Sequence, residues 1–112
     1  MVQVKGRWAL ITGASRGIGN LTAKFMAEQG CSLILHSRKK EHCEELLREI
    51  KDMGVDAFAV EAELSDLESV SAMLNEIDRM GMAVDIVLNN AGMQIAYRSD
   101  YFKTPVSDYI ES

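Results

Sequence analysis

The sequence predicts an α/β fold: the N-terminal half of a doubly wound parallel sheet, about four strands in the order 3-2-1-4, with helices on both faces. Three observations predict it. Short apolar runs alternate with longer stretches of helical period, no hairpin turn joins consecutive runs, and the glycine-rich turn Thr12-Gly13-Ala14-Ser15-Arg16-Gly17-Ile18-Gly19 follows the first run. Strands joined through helices pair in parallel by right-handed crossovers, and such crossovers put helices on the faces of the sheet.

Each element has its own signal. Arg7–Thr12 reads as a buried strand. The first helix begins at Ile18, carries Ile18, Leu21, Thr22, Phe25 and Met26 on one face and stops at Gly30. Ser32–His36 is a second short apolar strand. Lys39–Met53 is charged on one side, carries Cys43, Leu46, Leu47 and Ile50 on the other, and closes at Gly54. Val55–Val60 is a third strand. Ser65-Asp66-Leu67-Glu68 reads as a capping box, Ser65 and Glu68 satisfying each other's backbone donors. It opens a helix with Val70, Met73, Leu74 and Ile77 facing inward and Gly81 at its end. Val84–Leu88 is the fourth strand and leads into Asn89-Asn90-Ala91-Gly92.

Bulk properties exclude several classes. The 112 residues allow one domain at most, and 47% hydrophobic with 26% charged residues is ordinary for a globular chain. Twelve basic against 17 acidic residues give a net charge of −5, which argues against a general nucleic-acid binder. No apolar run approaches the ~20 residues of a membrane span, so no membrane partner is expected. Met1-Val2-Gln3-Val4-Lys5 lacks a signal-peptide apolar region, and the expected location is the cytoplasm. Cys31 and Cys43 lack metal-ligand or C-x-x-C spacing and read as reduced structural thiols; no metal site is expected.

The glycine-rich turn carries the chemistry. Where a strand runs through such a turn into a helix, the first amide N–H groups of the helix lack intrahelical partners and face the positive end of its dipole, so a phosphate is stabilised there. Gly13 lets the chain turn tightly, Gly17 lets the backbone approach a pyrophosphate, and Gly19 lets the helix lie close on the strand. Ile18-Gly19-Asn20 excludes a mononucleotide P-loop, which requires Gly-Lys-Ser/Thr there. In the order 3-2-1-4 the switch point lies between strands one and four, and ligands bind outside the carboxyl ends of those strands. The two motifs, Thr12–Gly19 and Asn89–Gly92, follow those same strands.

The second strand bears on which nucleotide. NAD binding usually places Asp or Glu about 20 residues after the glycines, against the ribose 2′-hydroxyl. Here His36-Ser37-Arg38-Lys39-Lys40 occupies that place, and the first acid is Glu41. Ser37 removes a repulsion, and Arg38 can fork onto a 2′-phosphate with Arg16 on the same side. This pattern favours NADP(H) over NAD(H).

With TGASRGIG, Ser37-Arg38, Glu63-Leu64-Ser65-Asp66 and NNAG in register, the chain resembles the short-chain dehydrogenase/reductase family, whose fold is Rossmann-type. Within the family it looks most similar to NADP-dependent reductases of the 3-oxoacyl-carrier-protein reductase and tropinone reductase type. The resemblance implies that Thr12, Gly13, Ser15, Arg16, Gly17, Ile18 and Gly19 surround the adenosine ribose phosphate and pyrophosphate. It implies that Ser37 and Arg38 recognise the 2′-phosphate and that Glu63 and Leu64 flank the adenine. Asn90, Ala91 and Gly92 would line the ribose side of the cleft. Glu63 departs from the family's usual Asp, keeping the charge but moving its oxygens. The implied activity is carbonyl–alcohol interconversion of a small molecule by hydride transfer, in a homodimer or homotetramer.

The family's catalytic Ser, Tyr and Lys, the last two in Y-x-x-x-K spacing, have no counterpart here. None of Tyr97, Tyr101 and Tyr109 has a lysine four residues on within the chain. Met93, Gln94 and Tyr97 are weak candidates for the border of a substrate pocket. Pro105 followed by Val106–Ile110 reads as a helix just beginning. Residues 1–112 are therefore expected to be the N-terminal, cofactor-binding part of a single domain that continues past Ser112, with Val84–Leu88 otherwise a bare apolar sheet edge. A non-catalytic NADP(H)-binding module, or a unit for another adenine ligand such as FAD or S-adenosylmethionine, is the alternative.

Overall fold

A computed structural model of the chain describes residues 4–90. Four strands, β1 (Trp8–Ile11), β2 (Ser32–Ser37), β3 (Ala57–Glu61) and β4 (Ile86–Leu88), form one sheet in the order β3-β2-β1-β4. Every pair is parallel: Trp8 lies opposite Ser32, Ala9 opposite Ile86 and Leu33 opposite Ala57. Helices α1 (Gly17–Glu28), α2 (Glu44–Asp52) and α3 (Leu67–Met80) supply the three crossovers. The predicted class and strand order are those observed, with strand limits shifted by one to two residues at most ends.

Alternation along each strand divides the core into two layers. Ala9, Ile11, Leu33, Leu35 and Ala57 pack with Ala23, Met26 and Ala27 of α1 and Leu46 and Ile50 of α2. On the other face, Leu10, Ile34 and Val60 pack with Met73 and Ile77 of α3. Leu33, Ile34 and Leu35 are all fully buried, because β2 is covered on both faces and flanked on both edges. That position requires the unbroken apolar run Leu33–Leu35 rather than alternation. Trp8 and Phe58 extend the second layer toward solvent, their rings stacked with centroids 5.5 Å apart.

Four local expectations are corrected. The face of α1 turned to the sheet is Gly19, Ala23, Met26 and Ala27, whereas Ile18, Leu21 and Phe25 are 72%, 66% and 59% exposed. Both stripes fit a 3.6-residue period, and the larger side chains suggested the wrong one. The small residues win because the helix entrance is pressed against the turn after β1: a Cβ on Gly19 would lie 2.2 Å from the Gly13 carbonyl oxygen. In α3 it is Met73 and Ile77 that are buried, Val70 is half-buried, and Leu74 faces solvent. The cap of α3 is Asp66, whose carboxylate accepts the Glu68 amide at 3.0 Å. Ser65 instead donates its hydroxyl to Glu63 Oε2 at 3.0 Å. Asp at the N-cap accepts from the residue two ahead without help from Glu68, so the reciprocal box is not needed. Lys39–Met53 also divides, into a 3-10 turn over Lys40–Cys43 and then α2.

The approach at Gly19 is testable. Gly19→Ala is expected to lower the unfolding free energy of the intact protein by about 2 kcal/mol or more, because the obstruction is backbone rather than a yielding side chain. Urea denaturation of the purified variant measures it, whereas Gly54→Ala, with open space around its Cβ position, separates steric overlap from the strain of a left-handed backbone.

Candidate functional site

The carboxyl ends of β1 and β4 are tied by one side chain. Thr12 follows β1 directly and is 6% exposed. Its amide donates to the Leu88 carbonyl at 3.0 Å. Its hydroxyl accepts the Asn90 amide at 2.8 Å and donates to Asn89 Oδ1 at 3.0 Å. A hydroxyl has one donor and two acceptor positions, and both kinds are used here. Thr12 and Asn90 of the predicted set thus meet across the switch point, and Asn89 joins them. Ala91 and Gly92 lie outside the described residues, as do Met93, Gln94 and the tyrosines.

Beyond Thr12 the chain reverses. Gly13 has φ 63° and Gly17 φ 64°, a left-handed backbone in which a Cβ is strained. Asn20 Nδ2 donates to the Ser15 carbonyl at 3.4 Å and braces the turn from below. Helix α1 then starts at Gly17 after an extended Arg16. Among the described residues no side chain caps it, and its first turn holds no acid. Its first amides therefore lack the partners that Asp66 supplies to α3. Among the described residues, no atom outside its chain neighbours and its own helix backbone lies within 4 Å of a Cβ position on Gly17, so the space beside it is open. Ile18 is exposed at the same entrance, and Gly19 is buried beneath it.

The groove in front of this turn has a volume of about 710 Å³. Gly13, Ser15 and Arg16 form one wall, and Ser37, Arg38 and His42 form another. Ala62, Glu63 and Leu64, after β3, and Asn90, after β4, complete it. Eight of the residues singled out from sequence line the groove; Thr12 and Gly19 support it from behind. Ser37 is buried and donates its hydroxyl to the Lys39 carbonyl, so it shapes the chain reversal. Arg38 Nε pairs with Glu63 Oε1 at 3.5 Å. Glu63 also accepts from Ser65, and its amide donates to Ser69 Oγ at 2.8 Å. A guanidinium held at Nε can still direct its terminal nitrogens at an anion. Lys40 is drawn aside, its Nζ 3.3 Å from Glu76 and its amide bonded to Glu61.

His36 and His42 line the groove without having been singled out. His36 is 3% exposed at the end of β2, and both ring nitrogens are engaged. Nδ1 lies 3.0 Å from the Gly13 amide, which can only donate, and Nε2 lies 3.0 Å from the Ala62 carbonyl, which can only accept. The ring is therefore the neutral Nε2–H tautomer. Burial pushes its pKa below the ordinary 6.5, against smaller opposing effects of the Ala62 carbonyl and the Glu63 charge. The available signal was a histidine closing an otherwise apolar strand, since a buried polar ring needs partners. Burial likewise raises the thiol pKa of Cys31 and of Cys43, both free and buried.

A strand, a tight glycine turn, a helix and a groove at the switch point are the arrangement in which doubly wound folds take their ligands. A family model for short chain dehydrogenases matches residues 7–110, and the chain belongs to that family. It is 42% identical over 86 residues to 3-oxoacyl-(acyl-carrier-protein) reductase FabG of Staphylococcus aureus, covering 76% of this chain and 35% of that protein. Versicolorin reductase 1 of Aspergillus parasiticus is 35% identical over 92 residues, covering 81% and 35%. The chain therefore spans about a third of the length of the curated relatives it matches. Among solved structures, the RhlG/NADP active-site complex of Pseudomonas aeruginosa is 28% identical with a TM-score of 0.74, covering 97% of this chain and 40% of that one. No described helix is long and apolar enough to cross a membrane.

Two outcomes follow. Thr12→Val removes the hydroxyl but keeps the shape, leaving the Asn90 amide without its acceptor; it is expected to cost about 1–3 kcal/mol in a urea melt, with Thr12→Ser recovering most of that. His36 has a folded pKa below its unfolded one, so the unfolded chain takes up the proton first. Unfolding free energy is expected to fall as pH drops below about 6.5 and to level off once the folded pKa is passed. The pH dependence of the wild-type melts, compared with those of His36→Asn, measures it.

Proposed function

We propose that the protein is an NADP(H)-dependent oxidoreductase interconverting a small-molecule carbonyl and alcohol, with the described groove as its cofactor cleft. The observation carrying this reading is the uncapped start of α1 directly after Arg16, which lines the same groove as Arg38. The donor set fits a dinucleotide: unpartnered backbone amides suit a pyrophosphate, and open space beside Gly17 leaves room for it. A bound nicotinamide dinucleotide supplies the hydride. The amides at Gly17, Ile18 and Gly19 would hold the bridging phosphates, and Arg38, with Arg16 opposite, would hold the 2′-phosphate. Ser37 places no carboxylate near that phosphate. Glu63 and Leu64 would flank the adenine, and Asn90, Ala91 and Gly92 the ribose.

Family membership supports hydride transfer, and the NADP named in the Pseudomonas aeruginosa structure supports the cofactor class. Preference for NADP(H) rests on this chain's own Ser37 and Arg38. Calorimetric titration of the intact protein with NADPH and NADH is expected to show tighter binding of NADPH. Arg38→Asp is expected to reduce that preference by about tenfold or more, the equivalent of one charge-assisted contact. Equal affinities in the wild type, or unchanged selectivity in the variant, would overturn the phosphate assignment. Binding of NADPH with no turnover of any carbonyl substrate would leave a cofactor-binding module instead of an enzyme.

A further inference from the structure

We infer that His36 is the positioning residue of the cofactor cleft: its neutral ring holds the glycine-rich turn in its anion-receiving shape, and a proton on Nδ1 releases that turn. The inference rests on the cofactor reading of the groove and names a control acting on it. His36 touches the turn twice. Its ring accepts the Gly13 amide at 3.0 Å, and its own carbonyl accepts the Ala14 amide at 2.9 Å. The far side of the ring reaches the Ala62 carbonyl at 3.0 Å, immediately before Glu63. One side chain therefore links the phosphate turn to the residue that begins the predicted adenine side. Of these three bonds, Ala14 to the His36 carbonyl joins backbone to backbone and two use the ring; only Nδ1 of the ring can change sign, from acceptor to donor.

The consequence is directional. Protonated Nδ1 would point its hydrogen at the Gly13 N–H, so a bond becomes a repulsion between two donors. Gly13 directly precedes Ala14, Ser15 and Arg16, so its displacement moves the amides at the helix entrance. The surroundings of the ring act in both directions. Glu63, after β3, favours the imidazolium and burial disfavours it; Arg16, Arg38 and His42 line the same groove. Strand β1 contributes no ionisable side chain. A bound dinucleotide phosphate adds negative charge to the groove, yet the shape it needs depends on the neutral ring, so ligand and proton compete through Gly13.

The intact protein tests this with two readouts. In the ligand-free protein, 15N NMR should report an unprotonated Nδ1 and a protonated Nε2 at neutral pH. The Gly13 amide shift should move with the same midpoint as the His36 ring. In calorimetry with NADP, His36→Leu should lose about tenfold in affinity at neutral pH, the effect of one lost bond on a buried amide. His36→Asn, whose side-chain oxygen can take the Gly13 hydrogen and cannot titrate, should recover most of it. As pH is lowered the wild type should lose affinity more steeply than His36→Asn; the 2′-phosphate, which also titrates near pH 6, contributes equally to both. A Gly13 shift indifferent to the ring's titration, or wild-type affinity in His36→Leu, would overturn the proposal. Failure of wild type to bind NADP at any pH, with the Gly13 shift still following His36, would overturn the cofactor reading and leave the link between ring and turn established.

Discussion

The architecture of the site depends on a polar clamp at the carboxyl edge of the sheet. The turn after β1 has few side chains of its own to fix it: Gly13, Ala14, Ser15 and Gly17 are small. It is held instead from both neighbouring strands. Thr12 binds the end of β4 through Leu88, Asn89 and Asn90, and His36 binds the turn to the ends of β2 and β3. Both residues are nearly fully buried, where an unsatisfied polar group costs more than a bond in water returns. Buried polar groups with complete partners therefore define the turn more narrowly than apolar packing could.

This arrangement accounts for the anion site proposed in an acidic chain. Net charge is −5, yet the groove draws on helix amides and on guanidiniums at Arg16 and Arg38 rather than on overall charge. Nearby carboxylates are largely directed elsewhere: Glu76 to Lys40, Glu61 to the Lys40 amide, and Asp66 to the cap of α3. Glu63 is the exception, pairing with Arg38 inside the groove. It holds Arg38 near the place where a 2′-phosphate is proposed to sit, and a phosphate there would have to share the guanidinium with it.

The alternation of apolar runs and helical stretches, the punctuating glycines and the two switch-point motifs were legible residue by residue. They identify class, strand order and most of the groove wall. The misread features share a cause. Hydrophobic periodicity weighs size and groups Ile18, Leu21 and Phe25 with Met26 on one apolar face, whereas packing at the entrance of α1 is decided by how near two backbones can come. Ser65 and Asp66 are both good N-caps at adjacent positions, and only the path of the chain after β3 selects Asp66. Leu74 has helical spacing with Met73 and Ile77, but α3 presents a narrower stripe to the sheet.

Local composition was enough for the elements, their order and the residue types that favour a phosphate, because strand, turn and helix signals act over a few neighbours. Tertiary structure decided which side chains face each other across more than twenty positions. Gly13 meets His36, Thr12 meets Asn89 and Asn90, and Arg38 meets Glu63 only once parallel strands set their carboxyl ends side by side. Hydrogen-bond satisfaction inside a sheet is a long-range condition, so the role of His36 emerges from register and burial rather than from any pattern around residue 36.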